Sequence, residues 1–275
     1  MGCSNCSTCE VSEKRGSANS TVFDWLYQID APKSENSNLI EVQFKRDRKD
    51  FYINTENIDI NSGDWVAVQG DKSGHDIGKI SMKGELVALQ IKRKNRDINK
   101  DPIKKLYRIA SDNDMQKWKD AVANEDEILV KAKRIIEDHK LEMKLTDVEF
   151  QGDNSKATFY YTAEKRVDFR ELIREYSRNF GVRVEMRQIG VRQEAAKIGG
   201  IGSCGRELCC STWMTDFPSV STSAARYQQL SINPQKISGQ CGRLKCCLNF
   251  ELDGYTDALK DFPSTKVQLK SKKGN

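Results

Sequence analysis

The stretch LTDVEFQGDNSKATFYYTAE, residues 145–164, decides how the middle of this chain is read. Apolar and polar residues alternate on both sides of Gly152-Asp153-Asn154, a triplet suited to a tight turn, so the segment is predicted to be a β-hairpin. Upstream, Trp118, Val122, Ile128, Leu129, Ala132, Ile135 and Ile136 recur at helical spacing and predict a helix from Asp114 to His139, broken near Asn124. Downstream, Phe169, Leu172, Ile173, Tyr176 and Phe180 share a helical face, with Asp168 placed to cap its start and Gly181 its end. VRVEMRQI (182–189) reads as a strand, and LVALQIKRK (86–94) as another that opens the series. The order strand, helix, strand, strand, helix, strand is that of a ferredoxin-like split β-α-β core, expected over 86–190.

The expected class is α+β. LIEVQF, DFYIN and GDWVAVQGDKSGHDIGKI predict a small β unit over 38–85, a compact barrel or curled sheet. Residues 1–37 read as a cysteine-containing tail too poor in apolar side chains to order itself, and 263–275 as a basic tail. The basic stretch KRKNRDINKDPIKK after residue 91 reads as a solvated loop.

With 275 residues, 31% charged, the chain can bury a sizeable core and carries no apolar run long enough to span a bilayer. MGCSNCSTCE is followed by no hydrophobic segment, so a cytoplasmic location and no membrane insertion are expected. A net charge of +5 permits contact with nucleic acid or an acidic partner without requiring either. That compartment keeps thiols reduced, which argues against a disulfide framework for the nine cysteines.

Six of those cysteines fall in two copies of C-G-R-x-x-C-C: Cys204, Cys209 and Cys210, then Cys241, Cys246 and Cys247. Thiolates are soft ligands suited to zinc and iron–sulfur clusters. Glycine after the leading cysteine lets the backbone turn sharply around an ion, and the adjacent arginine offers positive charge to a site crowded with thiolates. The block 191–262 is therefore expected to bind metal. The doublets, and only two histidines in the chain, tilt the residues toward iron–sulfur, with zinc as the alternative. Cys3, Cys6 and Cys9 form a further C-x2-C-x2-C, a candidate accessory set in the tail.

Other motifs carry less. Gly200, Gly202 and Gly205 satisfy G-x-G-x-x-G, but follow a predicted helix and not a strand, so a dinucleotide site is rejected. His139 is expected near a helix end and His75 in an exposed turn, and neither pairs with a nucleophile; no enzymatic activity is expected. Arg166, Arg170, Arg174 and Arg178 would line one helical face, with Arg183, Arg187 and Arg192 beyond it. That stripe suits RNA phosphates, against the plainer alternative of a face neutralised by Glu171 and Glu175.

GGIGSCGRELCC, INPQKISGQCGRLKCCLNFE and KATFYYTAEKRVDFRELIREY together resemble the bacterial RicT (YaaT) family, whose core is shared with the C-terminal domain of a eukaryotic polymerase-suppressor protein. The resemblance runs from about Asp64 to Glu251. It implies a non-catalytic regulatory subunit that joins two small helical proteins in a complex carrying [4Fe-4S] clusters. It further implies association with ribonuclease Y, an influence on messenger maturation, and a link to phosphorelay control of cell fate. The six cysteines of the doubled phrase are the ones that match the family's motif, while Cys3, Cys6 and Cys9 lie outside it.

Overall fold

The structure, a computed structural model, describes residues 36–45, 48–71, 73–96 and 102–263. It divides after Ile198 into two compact units.

The first unit opens with a closed barrel. Strands β1 (Leu39–Gln43), β2 (Lys49–Ile53), β3 (Trp65–Gln69), β4 (His75–Lys83) and β5 (Lys104–Ile109) close in the order β1-β2-β5-β3-β4. β1 pairs antiparallel with both β2 and β4, while β2 and β5 run parallel. Ile40, Val42, Tyr52, Val66, Val68, Ile80 and Leu106 fill the interior, alternating with outward residues as strand geometry requires.

Between β4 and β5 the chain departs from expectation. LVALQIKRK is not a strand: helix α1 spans Glu85–Arg93. Val87 and Ile91, four residues apart, are buried against Phe51, while Leu86 and Leu89 stay exposed. Glu85 in the first turn and Lys92 and Arg93 in the last complement the helix dipole. The basic stretch after it lies partly outside the described residues. Its described part is not a free loop: Arg96 and Lys104 lie 2.5 and 2.6 Å from Asp50, and Lys104 lies 2.5 Å from Asp71.

Helix α2 (Asp112–Asp138) runs 27 residues without the expected break. Its start is a capping box, in which Ser111 and Asp114 satisfy each other's free amides. Strands β6 (Lys144–Phe150) and β7 (Lys156–Thr162) form the predicted hairpin, and Asn154 takes the left-handed conformation (φ 59°) in its turn. Helix α3 (Arg170–Phe180) ends on Gly181 at φ 64°, and β8 (Arg183–Gln188) follows. Asp168 accepts from the Arg170 amide at 3.1 Å.

The ferredoxin-like core does not form. The sheet has three strands in the order β6-β7-β8, with β8 parallel to β7. The strand that precedes α2 is β5, and it closes the barrel instead of joining this sheet. β8 takes the place beside β7 that a first strand would have filled. One face of the sheet packs under α2 and α3 through Leu145, Val148, Phe150, Phe159 and Tyr161 against Ala132, Ile136, Leu172 and Tyr176.

The other face is polar and meets the barrel through buried ion pairs. Lys45 lies 2.6 Å from Asp147 and 2.9 Å from Glu125, and Arg48 lies 2.6 Å from Asp76 and 2.8 Å from Glu149. Tyr160 donates to Glu149 at 2.8 Å. Helix α4 (Val191–Ile198) sends the Lys197 ammonium over the Tyr160 ring, 4.1 Å from its centroid.

Among the described residues of the second unit the regular elements are short helices, α5 (Cys209–Thr212), α6 (Thr222–Tyr227), α7 (Pro234–Ile237), α8 (Cys246–Phe250) and α9 (Leu252–Ala258), followed by a 3-10 turn, Leu259–Asp261. Ala224, Ala225, Ile237 and Leu248 form its small core.

Candidate metal centre

The two cysteine phrases fold the same way. Each is a tight hairpin followed by a short helix that opens with the cysteine doublet. In the first copy Gly202 N–H donates to Arg206 C=O at 2.7 Å, and Gly205 N–H to Gly202 C=O at 2.9 Å. In the second, Gly239 N–H donates to Arg243 C=O at 2.8 Å, and Gly242 N–H to Gly239 C=O at 3.0 Å. Single bridges, Ile201 with Glu207 and Ser238 with Leu244, close the two hairpins at matching points. Gly205 and Gly242 hold φ of 79° and 74°, a conformation that a side chain would strain, and this is why glycine follows each leading cysteine.

The next step of the chain repeats as well. Leu208 (φ −59°, ψ 127°) and Lys245 (φ −57°, ψ 126°) turn each copy into its helix, α5 or α8. Their amides donate back to Gly200 C=O at 3.0 Å and Ile237 C=O at 2.9 Å. Trp213 ends one helix and Phe250 the other, and these equivalent rings meet edge-on with centroids 4.6 Å apart. Equivalent residues in mutual contact mark a local two-fold relation between the copies.

The thiols gather around that relation. Cys204 is exposed and the other five are half-buried, all six free. Burial pushes the Cys209 thiol up from its ordinary value, and the neighbouring Cys246 and Cys204 push it further. Cys210 rises through burial and then through Cys246 and Cys241. Cys247 rises through burial, then Glu251 and Cys246, with Lys245 opposing. Each of these thiols resists ionisation first because it is buried and then because neighbouring thiols, and for Cys247 Glu251, crowd it, so a cation arriving among them would relieve the penalty.

The donor chemistry therefore suits a thiophilic metal. Among the described residues, however, no three His, Cys, Asp or Glu side chains already stand as a ligand set. Arg206 and Arg243, expected to offer nearby charge, are both exposed, and Lys245 opposes the rise of the Cys247 thiol. Neither Lys245 nor Glu251 falls within the part of the phrase that repeats, so no pattern pointed to them. Cys3, Cys6 and Cys9 lie outside the described residues.

Gly200 to Gly205 lie in the first hairpin and not between a strand and a helix, which removes the geometry a dinucleotide would need. His75 is not in an exposed turn. It begins β4, half-buried, with Nε2 3.8 Å from Asp114. His139 caps the C-terminus of α2 and lies 2.5 Å from Glu175.

The PSP1 C-terminal conserved region matches residues 104–189, from β5 through β8, and the third domain of PSP1-like proteins matches 219–262. The chain is 41% identical over 241 residues to "Stage 0 sporulation protein YaaT" of Bacillus subtilis, covering 86% of this chain and 83% of that protein. It belongs to the YaaT (RicT) family. An uncharacterized protein of Schizosaccharomyces pombe is 29% identical over 171 residues, which is 54% of this chain and 23% of that one. "Protein PSP1" of Saccharomyces cerevisiae is 47% identical over 45 residues, 16% of this chain and 5% of that one. No solved structure matches. No helix among the described residues is long and apolar enough to cross a membrane.

Proposed function

We propose that this protein is a non-catalytic regulatory subunit whose second unit holds a [4Fe-4S] cluster through Cys204, Cys209, Cys210, Cys241, Cys246 and Cys247, some sites being completed by a partner. The observation that carries the reading is the pair of matched hairpin-helix elements that bring thiols from both phrases within each other's electrostatic reach. Six donors exceed the four that one tetrahedral site or one cluster consumes but cannot fill two, which favours two sites completed by other chains. The partners proposed are the small helical proteins and ribonuclease Y of the family complex, acting on messenger maturation and phosphorelay signalling in the cytoplasm.

Purified without oxygen, the protein should carry iron and acid-labile sulfide in comparable amounts. Cys204→Ser or Cys241→Ser should lower both, because an alcohol oxygen replaces a soft thiolate poorly. Serine at Cys3, Cys6 and Cys9 together should change them little. Stoichiometric zinc with no sulfide, even with partners co-expressed, would overturn the cluster assignment in favour of a structural zinc site.

A second reading, direct RNA contact, is favoured by the α3 face. Arg174 and Arg178 of α3 are exposed and form no ion pair with a carboxylate among the described residues, while Arg166 lies before the helix, beside Asp168. The neutralising pairs expected of Glu171 and Glu175 do not form there, since Glu175 engages His139. RNA affinity of the isolated protein should then fall by about 0.7 log units per log unit of salt for each phosphate neutralised. Absence of binding at low salt would dispose of this reading.

A further inference from the structure

Strand β8 is an edge of the three-stranded sheet, and the two ends of its ladder fix which of its backbone groups are free. Arg183 N–H donates to Ser155 C=O at 3.0 Å, and Ile189 N–H to Tyr161 C=O at 2.8 Å. The register with β7 runs between them without a bulge. Arg183, Glu185, Arg187 and Ile189 therefore turn their amides toward β7, and Val184, Met186 and Gln188 turn theirs outward. Among the described residues nothing bonds those outward groups. Val184 and Met186 stay half-buried on the side of the helical core, and Arg183, Arg187 and Gln188 are exposed.

An open edge of this kind is a template for another strand. The sequence RVEMRQ selects which strand fits. In an antiparallel pairing of β8 with itself, outward-facing residues must oppose outward-facing residues. One register centred in the strand sets Met186 opposite Met186 and Val184 opposite Gln188. It also sets Glu185 opposite Arg187, twice, in the closely spaced positions where side chains meet. Sliding two residues one way sets Glu185 against Glu185, and two the other way sets Arg187 against Arg187; both are repulsive. The charges thus admit the register centred on Met186 and oppose its neighbours.

We propose that β8 is a self-association edge, through which two copies of this chain join their sheets into one of six strands about a two-fold axis. The symmetric register is isologous, as a closed dimer requires. The reading is independent of the cysteines and of any metal.

Sedimentation of the full chain in reductant, over a range of concentrations, tests it. The wild type should shift from monomer to dimer as concentration rises. Arg187→Glu places like charges opposite each other at both crossing points and should weaken association at least about tenfold, as should Glu185→Arg. The double variant E185R/R187E restores opposite charges and should recover association to within a few-fold of wild type.

Single swaps also disturb Glu185 with Lys156 and Arg187 over the Tyr160 ring, so a third variant separates folding from association. Met186→Pro removes an outward amide and the Met186 side chain packed on the helical core but costs no bond to β7, and should give a folded, somewhat less stable monomer. A wild type that stays monomeric at every concentration overturns the proposal, whatever else the edge binds. So does a double variant as weak as the single ones, or a Met186→Pro protein that dimerises normally.

Discussion

Asp114→Ala tests the hub that ties the long helix to the barrel. The carboxylate closes the α2 capping box, accepting from the Ser111 amide at 2.9 Å and the Ser111 hydroxyl at 2.7 Å. It is also gripped by Arg108 of β5. Losing the cap costs about 1 kcal/mol. Losing the arginine bond costs about 1–2 kcal/mol, discounted because Arg108 is half-exposed and can return to water. Alanine's better helix propensity gives back up to about 0.7 kcal/mol. The net loss is about 2 kcal/mol, or roughly 4–8 °C in Tm for a unit of this size.

The pH dependence distinguishes this cause from a packing defect. The Arg108 guanidinium, with help from Ser111, holds the Asp114 carboxyl well below the usual carboxylate range, against the opposing effect of burial. A depressed folded pKa contributes stability above the unfolded value, near 3.9, that drains away as pH falls toward the folded one. The gap between wild type and Asp114→Ala should therefore be constant from pH 7 to about 5, then narrow by up to about 1.4 kcal/mol per pH unit below about 4. Urea unfolding at a series of pH values, followed by circular dichroism, measures it. A gap that stays the same at pH 7 and pH 3 would refute the ionic account.

Two further perturbations have defined outcomes. Lys45→Met leaves Glu125 and Asp147 buried without their shared ammonium and should destabilise the first unit by about 3–5 kcal/mol in urea unfolding, with part of the loss recovered on adding Asp147→Asn. Gly242→Ala has open space for its methyl group but must hold φ of 74°, so it should cost the second unit about 1 kcal/mol in thermal unfolding, with little more for Gly242→Ser.

Local signals in the sequence were reliable where one residue type had one physical reason to be there. Gly181 and Asn154 sit in the left-handed conformations their positions announced, and the hairpin and both long helices form. LVALQIKRK failed because its short apolar run fits either period; burial of Val87 and Ile91 against Phe51 selects the helix. The expected break near Asn124 failed because neighbouring turns and the packing of Ala121, Ala132 and Ile136 outweigh one poor helix former. The four-stranded core failed for a different reason. The strand expected to open it is helix α1, and the strand that does precede α2, β5, begins in the stretch expected to be a loop and finds hydrogen bonds on both sides in the barrel.

The candidate site was legible for the opposite reason, since its information is carried by repetition and not by order. Two copies of one phrase imply two copies of one backbone path, and the matched glycine and turn conformations follow from that alone. Repetition also explains Trp213 and Phe250, which no motif singled out. They differ in type, yet both close the helix that follows their doublet, so the relation that gathers the thiols brings the two rings together as well. What repetition cannot encode is the environment in which the copies differ. Lys245 stands where the first copy has Leu208, and Glu251 where it has Met214, so Cys247 meets charges that Cys210 does not. Two thiols with the same place in the phrase are thereby made chemically unequal, and Cys210 and Cys247 should differ in how readily each is alkylated in the metal-free protein.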